Sequence, residues 1–156
     1  MRILGMVLGM AGLAGAGMSV LAPAVQAAPD VSCSGGEVVS AASVRRFGGS
    51  PVVGSIQLRR DSCSRYWAQV LMDDQMPPNA VAVAYLVRYR GGEKSSTLSC
   101  DSPGGTGRVL PGQTTCRTPK VGSTSGEVTF IASAHELHNG GGGYTRVSWG
   151  QTRRTR

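Results

Sequence analysis

Apolar and polar positions along this chain alternate in short runs broken by turn residues. Over residues 55–59, Ile56 and Leu58 fall on one side and Gln57 and Arg59 on the other, the period of a half-buried strand. Residues 80–90 form the strongest strand. Val81, Val83, Tyr85, Val87 and Tyr89 share one face; Ala82, Ala84 and Leu86 share the other, which ends in Arg88 and Arg90. The first half therefore reads as buried on both sides and the second as emerging into solvent. Residues 127–134 alternate in the same way. Residues 144–151 follow them across a glycine run, with Thr145, Val147 and Trp149 on one side. Residues 37–47, rich in Val, Ala and Ser, make a weaker strand that ends at Gly48-Gly49-Ser50-Pro51.

Residues 61–74 fit two patterns. Ser62 is placed to cap a helix with Tyr66, Trp67, Val70 and Leu71 on one face, and the same stretch fits a strand with Tyr66, Ala68, Val70 and Met72 on one side. A tight turn through Cys63 followed by a strand is favoured. The paired Pro77-Pro78 marks 73–79 as a loop. Gly91-Gly92-Glu93-Lys94 reads as a hairpin turn into 95–100, and 113–117 as a short strand. Strands at this spacing predict an all-β fold, a small antiparallel β-sandwich or barrel.

The two ends change the picture. Arg2, the apolar run 3–21 with its five glycines, Pro23 and the small residues around Ala27 have the form of a secretory signal peptide over 1–27. A membrane anchor is the rival reading of that run. Cleavage leaves 28–156 as one secreted domain with no further membrane span and a frayed basic tail at 152–156. All four cysteines, Cys33, Cys63, Cys100 and Cys116, follow the leader. An even count in an exported chain predicts two disulfides. Three pairings exist; Cys33–Cys63 with Cys100–Cys116 is favoured because each closes a segment rich in glycine and turn residues. With few aromatic residues, the domain is expected to depend on these staples. No Cys-x-x-Cys or short Cys/His cluster offers a zinc site, and no cofactor is implied.

The formal charge is +7, and the leader carries Arg2 and no acid, so processing lowers it by one. A basic surface raises encounter rates with anionic partners. Arg59, Arg60, Arg65, Arg88 and Arg90, with Arg45-Arg46, make one binding patch if their strands are neighbours, and Tyr66, Trp67, Tyr85 and Tyr89 then supply stacking surfaces. Against that stands a solvated outer face with those aromatics in the core. His135-Glu136-Leu137-His138 is not the zinc-protease pattern, because its histidines are three apart. On a strand they point to opposite faces, and polar residues at a hairpin mouth are the expected reading. Asp73-Asp74 supplies too few oxygens for calcium. No serine sits in a Gly-x-Ser-x-Gly context.

The stretch Ile56-Gln57-Leu58-Arg59-Arg60-Asp61-Ser62-Cys63-Ser64-Arg65-Tyr66-Trp67-Ala68-Gln69-Val70 resembles the central signature of the YjfA-like proteins, with Arg60 where that family carries tyrosine. These are small secreted proteins of actinomycetes and bacilli with a domain of unknown function. The resemblance implies a secreted, disulfide-held β domain and no activity. In such a turn Cys63 is the anchor, with Leu58 and Trp67 expected to pack beneath it. The function expected is a non-enzymatic binding module for an anionic wall polymer or other extracellular partner. An inhibitor of a secreted hydrolase presenting the Cys100–Cys116 loop is the alternative, and a small hydrolase using His135 or His138 is the third.

Overall fold

The computed structural model describes residues 32–49, 51–123 and 127–155. The leader expected at 1–27 lies outside them. Among the described residues nine strands form: β1 (Glu37–Arg46), β2 (Val52–Arg60), β3 (Arg65–Met72), β4 (Ala80–Arg90), β5 (Glu93–Ser99), β6 (Thr115–Arg117), β7 (Val121–Gly122), β8 (Val128–Asn139) and β9 (Tyr144–Gln151). They pair antiparallel in one sheet, in the order β5-β4-β8-β9-β1-β2-β3-β6, with β7 also on β3. The sheet curls into a half-barrel, so of the two all-β architectures expected it is the barrel-like one.

Alternation puts Val44, Ile56, Leu58, Ala68, Val70, Leu86 and Phe130 on the concave side, where they are buried. The β4–β8 wall is lined largely by alanines, Ala84 opposite Ala134 and Ala132 opposite Leu86. That leaves room for Tyr66 of β3 to stack on Phe130 of β8, with ring centroids 4.5 Å apart. Tight curl also needs close strand approach. A Cβ on Gly54 would lie 2.4 Å from the carbonyl oxygen of Leu71, so only glycine fits.

The two open ends of the sheet path are brought together covalently. Cys100 directly follows β5 and Cys116 lies in β6, and they form one disulfide. The intervening segment runs along the seam: Val109 exchanges backbone hydrogen bonds with Ala82 of β4, and Thr106 N–H donates to Arg117 of β6. The second disulfide joins Cys33 to Cys63. It holds the 32–36 segment over the outer face of β3, where Trp67 is buried. A Cβ on Gly36 would come within 2.6 Å of the Trp67 ring. Leu58 and Trp67 were both expected beneath this turn. They lie on opposite faces, because Leu58 pairs with Ala68 and Trp67 with Arg59, one register step apart.

Two further expectations change. Strand β8 continues through residues 135–138 rather than stopping at Ala134, since β4 and β9 flank it along that length. Thr152–Thr155, expected to fray, are instead held on β8: Thr152 N–H donates to Ala132, and Thr155 forms a bridge with Phe130. Arg154 lies 3.7 Å over the Tyr89 ring.

Asp61 holds the β2–β3 turn. Its carboxylate accepts the backbone N–H groups of Cys63 (3.1 Å) and Arg65 (3.0 Å), and hydrogen bonds from Arg65 Nε (2.9 Å) and Lys120 Nζ (3.1 Å). This grip keeps Ser64 in a left-handed conformation at φ 54°. Burial pushes the Asp61 pKa up, but the bonds from Arg65 and Lys120 outweigh it and hold the carboxyl well below the usual range.

Two outcomes follow for stability. Replacing Cys100 and Cys116 together by serine should cost about 3 kcal/mol in urea unfolding and should speed hydrogen exchange first at the Val109 and Ala82 amides. Asp61→Asn should cost about 1–2 kcal/mol at neutral pH, because the buried carboxylate loses its charge-assisted bonds from Arg65 and Lys120, which are themselves partly exposed. The folded carboxyl titrates below the unfolded one, so its contribution is complete above about pH 3.9 and is lost as the pH falls further. The gap between wild type and Asp61→Asn should therefore narrow on acidification.

Candidate functional site

The arginines singled out from sequence do not form one face. Arg59 points outward from β2 and is committed to structure: its Nη2 donates to the Gly36 carbonyl at 2.6 Å and its Nη1 to Gln69 at 3.1 Å. Arg60, one residue on, turns to the concave side. It pairs with Glu37 and lies 6.0 Å from the Tyr66 ring centroid. Arg65 is bound to Asp61. Arg88 and Arg90 lie on β4, separated from β2 in the sheet order by β8, β9 and β1. Tyr66 and Trp67 are buried, so they offer no stacking surface.

A different surface combines free guanidinium groups with exposed rings. Trp149, Phe47 and Tyr144 are 43%, 56% and 52% exposed. Trp149 stands on the convex face of β9. It is opposite Arg45 of β1 on one side and opposite His135 of β8 on the other. The His135 ring in turn lies 5.2 Å from Tyr85 of β4, tilted by 49°. A row of Arg45, Trp149, His135 and Tyr85 thus crosses four adjacent strands, which repeat about every 4.8 Å. Burial, and then the charge of Arg146, push the His135 pKa down, so it joins this row as a neutral ring.

Phe47 extends the row at its lower end. Its backbone N–H donates to Val147 at 3.0 Å, and the Arg146 guanidinium sits 5.5 Å from its ring centroid. Between Phe47 and Trp149 lies a groove of about 330 Å³ that also includes Arg45, Arg46 and Gln151 and has no acidic residue in its walls. Among the described residues, Arg45 and Arg146 make no salt bridge. The groove can therefore take a flat apolar ring and an anionic group side by side.

Sequence reasoning missed Trp149 and Phe47 as site residues. Simple alternation groups Trp149 with Thr145 and Val147. A register shift between Glu136 and Leu137 re-phases β9, so Trp149 and Arg146 both face outward. The available signal was an aromatic residue beside the Gly48-Gly49 turn, where little chain remains to cover it.

The histidines diverge as strand geometry requires. His135 faces out, and His138 faces in, with Nε2 2.7 Å from Glu136 Oε1. Among the described residues no group of three or more His, Cys, Asp and Glu side chains is placed to hold a metal ion. The Cys100–Cys116 loop is laid along the barrel seam rather than projecting as an insert. Its Arg108 is tied to Asp101, and its Val109 is fully buried. No helix of the described residues is long and apolar enough to cross a membrane.

No family model matches this chain, and no solved structure matches it. The chain is similar to the uncharacterized protein YjfA of Bacillus subtilis (strain 168), with 34% identity over 71 residues. The matched part is 45% of this chain and 43% of that relative, so the chain spans less than half of the relative's length. This similarity supports a YjfA-like relationship.

Proposed function

We propose that this chain is exported, loses residues 1–27, and acts as a non-enzymatic module that binds an anionic extracellular polymer through the Phe47–Trp149 groove. The observation that carries this reading is the groove itself: the exposed rings of Phe47 and Trp149 beside Arg45, with no carboxylate in the walls, and Arg146 over the Phe47 ring at its margin. A rigid sheet presents these side chains, so little ordering cost is added on binding. The positive charge of the whole chain attracts the same partners at longer range.

Export is supported by the form of the leader and by two disulfides, which persist in oxidising compartments. The resemblance to secreted proteins of actinomycetes and bacilli points the same way, and an actinomycete source rests on it. A wall polymer is the anionic partner that such a protein meets first. The earlier arginine set contributes through Arg90 and the general charge; Arg59, Arg60 and Arg65 are engaged in holding the β2–β3 corner.

Co-sedimentation with an anionic polysaccharide, polygalacturonate, and with neutral dextran tests the reading. Retention should be confined to the anionic polymer and should fall as salt is raised. Trp149→Ala should weaken it at least about tenfold, and Arg45→Ala should both weaken it and flatten its salt dependence. Arg60→Ala, whose charge is already paired with Glu37, should bind as wild type. Equal retention on dextran, or full retention by Trp149→Ala, would overturn the assignment. Export has its own readout: the protein recovered from the medium should begin at Ala28.

A further inference from the structure

A second feature lies inside the half-barrel, at the end where β1, β3 and β8 finish. Glu136 stands on the concave side of β8, between Ala82 of β4 and Ser148 of β9, and is 3% exposed. Its Oε1 lies 2.7 Å from His138 Nε2 and 3.7 Å from Arg46 Nη2. Its Oε2 is buried and has no hydrogen-bond partner, and the same holds for the hydroxyl of Ser148 directly across the strand pair. Leaving a buried carboxylate oxygen unmatched is costly, so a group with N–H or O–H bonds belongs there.

Glu136 forms one wall of a cavity of about 60 Å³. Val53, Met72, Met76 and Pro77 supply apolar walls; Asp74 and Arg46 complete it with charge. The loop that carries Asp74, Met76 and Pro77 is fixed. Asp73 N–H donates to Val53, Met76 N–H to Gln113, and Gly112 N–H back to Met76. The cavity is thus built on held backbone from three sides.

Its chemistry narrows the occupant. Two carboxylates and one guanidinium stand in its walls, so carboxylate is in excess there and a cation is the favoured occupant. A hard divalent cation wants six or more oxygens, more than two carboxylates supply. The volume holds roughly two waters' worth of atoms, and its apolar side matches one or two methylene groups. We propose that this cavity is a binding site for a primary alkylammonium group, with its N–H bonds directed to Glu136 Oε2 and its carbon against Met72 and Met76. Such a group belongs either to a free small amine or to a lysyl side chain of another protein. The cavity shares Arg46 with the convex groove, but its proposed contacts, Glu136, Met72 and Met76, are not part of that groove.

Met72 and Met76 are the only methionines after residue 27, so their labelled methyl groups report on the cavity without overlap. Methylammonium chloride should shift both signals saturably, while sodium chloride at equal strength should not. Glu136→Gln should weaken binding at least about tenfold. Asp74→Asn, on an exposed loop position, should weaken it while leaving the interior untouched, so it decides the matter if Glu136→Gln does not fold. Nα-acetyl-lysine amide is the second probe. Saturable shifts with both ligands assign the cavity to a protruding lysyl side chain; shifts with methylammonium alone assign it to a free amine. A linear, non-saturating response, an equal response to sodium, or unchanged affinity in the folded variants would mean that the cavity holds water only and would overturn the proposal.

Discussion

The structure depends on closing a single curled sheet on itself. Alanines line much of the β4–β8 wall, and Tyr66 reaches across to stack on Phe130 in a core shared with Ile56, Leu58, Val70 and Leu86. The Cys100–Cys116 bond fixes that closure covalently. It ties the strand at one end of the sheet path to the strand at the other and lays the 101–114 segment into the gap. Backbone groups that would otherwise form an open edge on β4 are matched by Val109. Oxidation therefore ties the two ends of the sheet path together; without it the seam rests on the Val109–Ala82 and Thr106–Arg117 hydrogen bonds and on buried Val109.

Rigidity at the seam has its counterpart on the far wall. Strands β8 and β9 are furthest from the disulfides in sheet order, and the convex surface over them and their neighbours β1 and β4 holds the exposed Trp149 with Arg45 and Arg146. Its side chains are spaced by the strand repeat rather than by loop conformation. Flat rings and guanidinium groups stand in line because paired strands carry them. The concave side of the same strands carries the opposite chemistry, with Glu136 buried one residue away from the outward His135.

Much of this was legible in the chain. The alternation at 55–59, 80–90 and 127–134 marked the strands, and glycine and proline marked their ends. Both disulfides follow the pairing favoured from local turn content. What alternation could not show is where a strand slips by one residue. The irregularities between Val44 and Arg45 and between Glu136 and Leu137 leave no mark on the hydrophobic pattern, yet they decide which way Trp149 and its neighbours point. The arginines were misleading for a similar reason. Arg60 meets Glu37, and Asp61 meets Lys120, across separations that no local window sees. A cluster of positive charge in sequence became a set of brackets in space.

The Cys33–Cys63 bond also sets the route of mechanical load. A pull on the amino-terminal segment at Ser32 does not reach β1 first. It crosses the sulfur bridge into the β2–β3 corner, where Asp61, Arg65 and Lys120 lock the turn and two paired strands share the tension. Peeling β1 from its neighbours, the easy way to unzip an antiparallel sheet, is short-circuited.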